Sequence, residues 1–387
     1  MKTIAVIFGG KSTEHDVSVV TAIASIIKPL ELSGNFKVEA IYISKDGRWF
    51  WDEKLKDISL YRSGDIDEFI RKAAKVHLLF DDGLTLVKSS QFAGRKQYKK
   101  IDVVFPAMHG THGEDGELMG ILEMAGVPYV GCGVASSAIA MDKVLAKLTL
   151  ESLVPTTKMQ YITSSEFSKD AAGFTSHVIK NLNFPVFVKP THLGSSIGIT
   201  QVKDPDGLLN AIEVALHYDD KVLVEEAVPN LIELTLPIMG NEEPIPALLE
   251  QPLSKAADFF DFETKYMQGG KKGKGKSGTK GSQGYSTIPA KIPQDLYQKA
   301  EAVALKVYKE LGCSGIARVD LLVNSKTNQV YFNEVNPMPG GLYAHNWRAK
   351  GISSIDLVTK LIDYAQQRFN NQSRLNTTFS TNYLKQF

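Results

Sequence analysis

The sequence predicts an α/β protein whose chain opens on a doubly wound parallel sheet. Three observations predict it. Apolar runs of strand length, TIAVIF at 3–8, VEAIYIS at 38–44 and IDVVFPA at 101–107, are interleaved with segments of helical period. Gly9 and Gly10 supply a tight turn between the first run and the helix after it, the opening unit of such a sheet. Late in the chain, two further strand-like runs at 317–323 and 329–333 flank a polar turn at 324–328 and read as a hairpin.

Composition sets the outer limits. A chain of 387 residues has room for two or three domains, and 43% hydrophobic with 22% charged residues is ordinary for a soluble globular protein. A net charge of +1 gives no overall pull toward nucleic acid or a membrane. Cys132 and Cys313, far apart in sequence, suggest neither a disulfide framework nor a metal cluster, which fits a reducing compartment. No apolar run approaches the ~20 residues of a membrane span. The first residues enter a strand directly, without a signal-peptide layout, so a cytoplasmic protein is expected. No internal repeat is evident.

In chain order, Ser12 or Thr13 can cap a helix beginning near Glu14, with Val17, Val20, Ala24 and Ile27 on its apolar side. The full three-glycine dinucleotide spacing is missing. Glu14, His15 and Ser18 would lie at the carboxyl end of the first strand, where open α/β sheets bind ligands. Glu14 could equally be first-turn charge matching the helix dipole, and Ser18 a solvated helix residue. Residues 45–100 hold a WFW patch at 49–51, a helix near 65–74 and short strands near His77 and Leu84. The 101–107 strand runs into HGTHGEDG at 109–116, a plausible binding loop. There His109 is the substrate-facing candidate and His112 an exposed loop residue. The histidines form no i, i+4 pair, which argues against zinc. A helix follows with Leu118, Ile121, Leu122 and Ala125 on one face, then a short strand at 129–132 and a helix start at 136–143.

The run FPVFVKP at 184–190 is a strand carrying Lys189, followed by THLGSSIG at 191–198. A lysine at a strand's end before a loop of small residues can grip phosphates, with backbone N–H groups as the cradle. A hairpin with a snorkelling lysine reads equally from the residues. KVLVEE at 221–226 is a strand ending in two acids. Glu233 lies in a further strand, where it could accept from ribose hydroxyls or face outward. QGGKKGKGKSGTKGSQGYS at 268–286 carries seven glycines, five lysines and no acid. It cannot bury a core. It reads as a linker, as a basic nucleic-acid contact, or as a lid whose lysines close over polyphosphate. Its place before the hairpin favours the lid. An amphipathic helix at 293–312 buries Leu296, Ala300, Val303, Ala304, Val307 and Leu311. A last core helix spans 355–368, and a polar tail runs from 370 to 387.

In the hairpin, pairing of the two strands brings Asp320 near Glu334 and Asn336, with Arg318 beside them. Hard oxygen ligands suit Mg²⁺, which takes one or two carboxylates and completes its shell with phosphate and water. Asp320 follows an apolar run, where an unpaired carboxylate would be costly. Pro337, Pro339, Gly340 and Gly341 then shape a rigid turn directly after the acids.

Seven runs together, GGKSTEHDVS, HGTHGEDG, AMDK, FVKPTHLGSSIG, FETKY, GIARVDLLVN and NEVNPMPG, resemble the D-alanine–D-alanine ligase family of the ATP-grasp superfamily, in family order along nearly the whole chain. The resemblance implies a three-domain ATP-grasp fold, divided as 1–132, 133–226 and 227–387. It implies a homodimer acting on small amino-acid substrates, without nucleic acid or membrane, in peptidoglycan precursor synthesis. ATP would phosphorylate one D-alanine, and the amine of a second would attack the acyl phosphate. Lys143 and Lys189 would bind ATP phosphates, Lys265 would accompany the transferring phosphate, Glu225 would lie near adenine and Glu233 near ribose. Ser196, Glu226 and Val228 fall in the same nucleotide-binding runs. Asp320, Glu334 and Asn336 would hold two Mg²⁺, or Mn²⁺ in their place. Glu14 would receive the first substrate's ammonium, with His109 beside it. Arg318 and the Gly340 N–H would stabilise the oxyanion. Ser195 and Tyr266 match the residues linking the lid to that glutamate.

Two departures lie on the acceptor side. After NPMPG the family places Thr or Ser residues that hold the second carboxylate, whereas this chain reads Gly341-Leu342-Tyr343-Ala344-His345-Asn346-Trp347, making Leu342 and Tyr343 the substrate-binding candidates there. The lid is also enlarged by the Gly/Lys insert. D-lactate, D-serine or a larger amine therefore stand as alternative acceptors. Tyr266 favours an amino acid, because depsipeptide-forming members tend to lack it. A non-catalytic nucleotide- or RNA-binding module is the competing reading, and Arg318 with three metal ligands argues against it.

Overall fold

The computed structural model describes residues 1–81, 83–89, 96–194, 196–252 and 286–386. Ser195, Lys265, Tyr266 and the Gly/Lys segment up to 285 lie outside the described residues.

The first sheet has the order Trp49–Trp51, Phe36–Ile43, Lys2–Gly9, Val103–Pro106. Its central pairings are parallel and the edge strand Trp49–Trp51 is antiparallel. Strand Lys2–Gly9 is buried on both faces, which explains its unbroken apolar run. Ile4, Val6 and Phe8 pack with Val19, Ile23, Ile26 and the last long helix, Ser354–Ser373. Ala5 and Ile7 pack on the opposite side against Leu118, Met119 and Leu122 of helix Glu117–Met124.

The second sheet is antiparallel, in the order Thr200–Val202, Val186–Pro190, Lys221–Glu226, Met159–Thr163. The third, also antiparallel, runs Ile245–Pro246, Leu231–Gly240, Gly315–Asn324, Gln329–Asn336. Helix Gln294–Glu310 covers the third sheet through Leu296, Ala300, Ala304 and Val307.

Several local expectations are corrected. The opening helix starts at His15, and neither Ser12 nor Thr13 is its cap residue; Glu14 holds that place. One α-turn on, residues Thr21–Ile27 form a π-helix. The buried stripe is Val19, Ala22, Ile23, Ile26 and Ile27, an ordinary helical spacing, and Val20 and Ala24 are exposed. Ser18 is fully buried, so it is no solvated helix residue. Helix Glu117–Met124 likewise buries Met119 where Ile121 was expected, and Ile121 is exposed. The IDVVFPA run is split between Lys96–Ile101, in a separate three-stranded sheet, and Val103–Pro106. Residues 129–132 make only a single bridge, Val104 to Tyr129. The last helix extends to Ser373, beyond the expected Arg368. Cys132 and Cys313, distant in sequence, are buried free cysteines, and the Cys132 thiol donates to Ile316 O (3.8 Å).

Candidate active site

The Gly315–Asn324 and Gln329–Asn336 strands meet in a register that sets Arg318 opposite Asn336 and Asp320 opposite Glu334. A bulge follows Asp320. A bulge re-aims side chains without ending the pairing, and here it falls at the acids. Asp320 is held in place by three neighbouring side chains. Arg318 donates to it from Nε (2.8 Å) and Nη2 (2.5 Å), Thr235 Oγ1 donates at 2.5 Å, and Asn336 Nδ2 at 3.3 Å. Burial opposes the charge on Arg318, but Asp320 beside it outweighs burial and holds the guanidinium well above its usual range. The ring of Tyr343 covers that guanidinium, 5.1 Å from centroid to carbon.

Glu334 faces the second sheet. Lys143 Nζ lies 3.3 Å from its carboxylate and donates to Leu193 O at 2.7 Å. Lys143 opens helix Lys143–Leu150, whose cap is Asp142. The expected single helix through 136–143 is thus broken at Asp142, which places the lysine at a helix start. Glu14, Lys143, Gly194, Glu334, Asn336 and Pro337 line one small cavity. Residues from the start, middle and end of the chain share it. The Glu14 carboxylate lies so close to Gly110 and Gly194 that a Cβ on either would sit 3.1–3.5 Å from it.

Beside this cavity the NPMPG turn is fastened to the first sheet's loops. Met338 N–H donates to Glu114 Oε1 (3.2 Å), and Gly110 N–H to Glu114 Oε2 (2.7 Å). Gly341 N–H donates to Thr21 Oγ1 (2.9 Å), which also lies 3.0 Å from His109 Nε2. Burial, assisted by the charge of Glu14, pushes the Glu114 carboxyl up to about 8. Burial lowers His109, so it is a neutral imidazole at neutral pH. Leu342 is wholly buried in the first core, and both Leu342 and Tyr343 hold left-handed backbone, φ 54° and 50°. Non-glycine residues in that region cost free energy and cluster where function fixes the backbone.

Glu225 sits in a closed triad. Lys189 Nζ lies 2.5 Å from Oε1, Lys147 Nζ 2.9 Å from Oε2, and Thr157 donates to the same carboxylate. Burial opposes ionisation of Glu225, yet the two lysines hold it far below the usual carboxylate range. Burial lowers Lys147; at Lys189 the attraction of Glu225 outweighs burial. Lys189 therefore ends in a buried ion pair, not in solvent as a snorkelling side chain would. Glu233 is near enough to add to its charge stabilisation. Glu226 accepts from Asn183 N–H (2.9 Å), and Val228 is half-buried just beyond that strand. Ser196 has left-handed backbone, φ 59°, and Gly340 is half-buried next to Pro339.

Sequence reasoning missed Lys147, Thr157, Thr235, Thr21 and the bracing role of Glu114. Lys147 had a signal. It follows Lys143 by one helical turn on a face otherwise made of Val144, Ala146 and Leu150, where a lysine needs a partner. Thr21, Thr157 and Thr235 had none, because their partners come from remote segments.

Oxygen donors at Asp320, Glu334 and Asn336, with cationic side chains turned onto both carboxylates, fit a hard divalent ion with phosphate. This fold and constellation define an ATP-grasp ligase, an enzyme that uses ATP to join a carboxylate to an amine. Comparison with known proteins narrows the class. The N-terminal model of D-ala D-ala ligases matches residues 3–132, and the C-terminal model of the same ligases matches 148–363. The chain is 38% identical to D-alanine--D-alanine ligase of Acetivibrio thermocellus, covering 95% of this chain and 97% of that protein. It is 36% identical to the enzyme of Chloroherpeton thalassium, with the same coverage. Its fold matches the D-alanine-D-alanine ligase of Coxiella burnetii with TM-score 0.78 at 27% identity, covering 96% of each chain. It matches the VanG D-Ala:D-Ser ligase of Enterococcus faecalis with TM-score 0.76 at 32% identity, covering 94% of this chain and 99% of that one. The chain belongs to the D-alanine–D-alanine ligase family, whose members use ATP and Mg²⁺.

Proposed function

We propose that this enzyme joins two D-alanines for peptidoglycan precursor synthesis. The cavity shared by Glu14, Lys143, Glu334 and Asn336 carries the reading, because it sets an ammonium acceptor against a phosphate lysine and metal-type oxygens. Asp320, Glu334 and Asn336 would hold two Mg²⁺, which neutralise phosphate charge when bound. Lys143 and Lys189 grip the phosphates of ATP, with Ser196 and Lys265 in the loops around them. Glu225, Glu226, Val228 and Glu233 form the nucleoside side. Glu14 holds the ammonium of the first D-alanine and neutral His109 faces it. The carboxylate of that D-alanine takes the γ-phosphoryl group of ATP, forming the acyl phosphate, and ADP leaves. The second amine attacks the acyl carbon. Arg318 and the Gly340 N–H steady the oxyanion, and phosphate departs. Ser195 and Tyr266 link the lid to Glu14. The division at 132 and 226, a homodimer and a cytoplasmic setting complete the reading. No described helix is long and apolar enough to cross a membrane.

A second reading rests on the acceptor loop. Tyr343 stacks on Arg318 and also contacts the His345 ring (5.0 Å), which is held at 3.1 Å by Glu250. These bulky groups stand where Thr or Ser was expected, and D-serine, D-lactate or a larger amine would be the acceptor. Phosphate release with ATP, Mg²⁺ and a panel of D- and L-amino acids decides. Turnover on D-alanine alone is expected, and a requirement for another amine moves the assignment to the second reading. Glu334→Gln is expected to lower turnover at least roughly 100-fold, the scale for removing one transition-state charge contact, with the fold retained by circular dichroism. Near-normal turnover removes Glu334 from the metal site.

A further inference from the structure

We propose that His192 is a positioning residue for the nucleotide phosphates: as an imidazolium it pins the start of the loop after Lys189 to the start of the Lys143 helix. The inference rests on the reading above, in which that loop and Lys143 receive ATP.

The geometry is a two-sided clamp. His192 Nε2 lies 3.3 Å from Asp142 Oδ2, and Nδ1 lies 2.9 Å from Asp219 Oδ1. The backbone N–H of His192 donates to Asp219 Oδ2 at 2.7 Å. Asp142 Oδ1 accepts from Val144 and Leu145 N–H, both at 3.0 Å, and so caps the Lys143 helix. The backbone completes the seam: Lys143 N–H donates to Thr191 O (3.3 Å), and Thr191 N–H to Lys221 O (3.1 Å). One side chain therefore joins three segments: the helix start that carries Lys143, the loop after Lys189, and the turn before strand Lys221–Glu226.

Only the charged ring can do this. A neutral imidazole has one N–H and would turn a lone pair toward one of the two carboxylates. The groups facing it are Asp142 from the helix junction, Asp219 and Asp220 from the turn, and Lys221, which is itself paired with Asp142. Tyr218 packs against Gly198 of the same loop. Three acids against Lys221 alone leave an excess of negative charge that the imidazolium partly offsets. The carboxylates of Asp142 and then Asp219, accepting from the ring, raise it to about 9 against the opposing effect of burial. Its folded value lies above the ordinary 6.5, so the clamp is intact through neutral pH and is lost as pH rises through about 9.

Calorimetric binding of Mg·ATP tests this without turnover. His192→Gln keeps a polar group but no charge. It is expected to bind Mg·ATP roughly tenfold more weakly at about pH 7.5, the scale on which outer partners of a binding site matter. In turnover KM for ATP should rise with kcat within about twofold, a loss of uniform binding. The unaltered protein should lose the same affinity between about pH 8 and pH 10, whereas the Gln variant stays flat. His192→Arg should restore tight binding and carry it past pH 9. Asp219→Asn should weaken binding as the Gln variant does. Equal affinity of unaltered protein and Gln variant at pH 7.5, or failure of Arg to rescue, overturns the positioning role and leaves the ligase reading intact. No Mg·ATP binding by the unaltered protein overturns both.

Discussion

At the scale of single residues, the site is organised by buried charges whose partners the sequence does not announce. Glu114 braces two backbone N–H groups from different parts of the chain, and burial beside Glu14 pushes it up to about 8. A carboxyl raised above its unfolded value favours the fold while protonated, so this contribution fades as pH climbs from about 4.5 through 8. Glu114→Gln removes the titration and loses one of the two accepted N–H bonds, a loss that does not depend on pH. Its melting temperature relative to the unaltered protein is therefore expected to rise from pH 5 to about pH 8 and level off above it, as measured by thermal denaturation; a pH-independent difference would show that Glu114 does not titrate in that range. Asp320, Glu334 and Asn336 were legible as a group, because two short strands around a polar turn fix which residues meet. The Glu225 triad was not, because Lys147 looks like an ordinary helix lysine until the second sheet is laid across it.

At the scale of elements, the apolar runs gave strands reliably where both faces are buried, and misled where a break intervenes. IDVVFPA is continuous in composition, yet the chain changes sheets within it, with Asp102 Oδ2 taking the Thr3 N–H at the step. The opening helix buries Val19, Ala22, Ile23, Ile26 and Ile27, a second stripe of ordinary helical spacing beside the one expected through Val20 and Ala24, and period alone does not choose between two such faces. Ser18 lies on the buried side of the same helix. Its Oγ accepts from Gly9 N–H (2.7 Å) and donates to Ala107 O (2.7 Å), joining the ends of two parallel strands. Ser18→Ala leaves both backbone groups unsatisfied and is expected to cost about 1–3 kcal/mol, read from the urea midpoint. A loss within error would mean water replaces the hydroxyl.

At the scale of the whole molecule, three sheets bring the first, middle and last parts of the chain to one cavity, an arrangement the order of motifs foretold more fully than their contacts. The tail does not take part. Residues 371–385 are all exposed, including Phe379 and Leu384. Ending the chain after Arg374 is expected to leave unfolding free energy within about 0.5 kcal/mol and turnover unchanged. A marked loss of either would assign the tail a partner surface. The double fastening of the NPMPG turn, through Met338 to Glu114 and through Gly341 to Thr21, reaches further. Anyone transplanting residues 337–347 from a relative to change which amine is joined would sever two moorings rooted near the opposite end of the polypeptide. Such grafts should succeed only as matched sets that carry the HGTHGEDG loop and the helix around Thr21 with them.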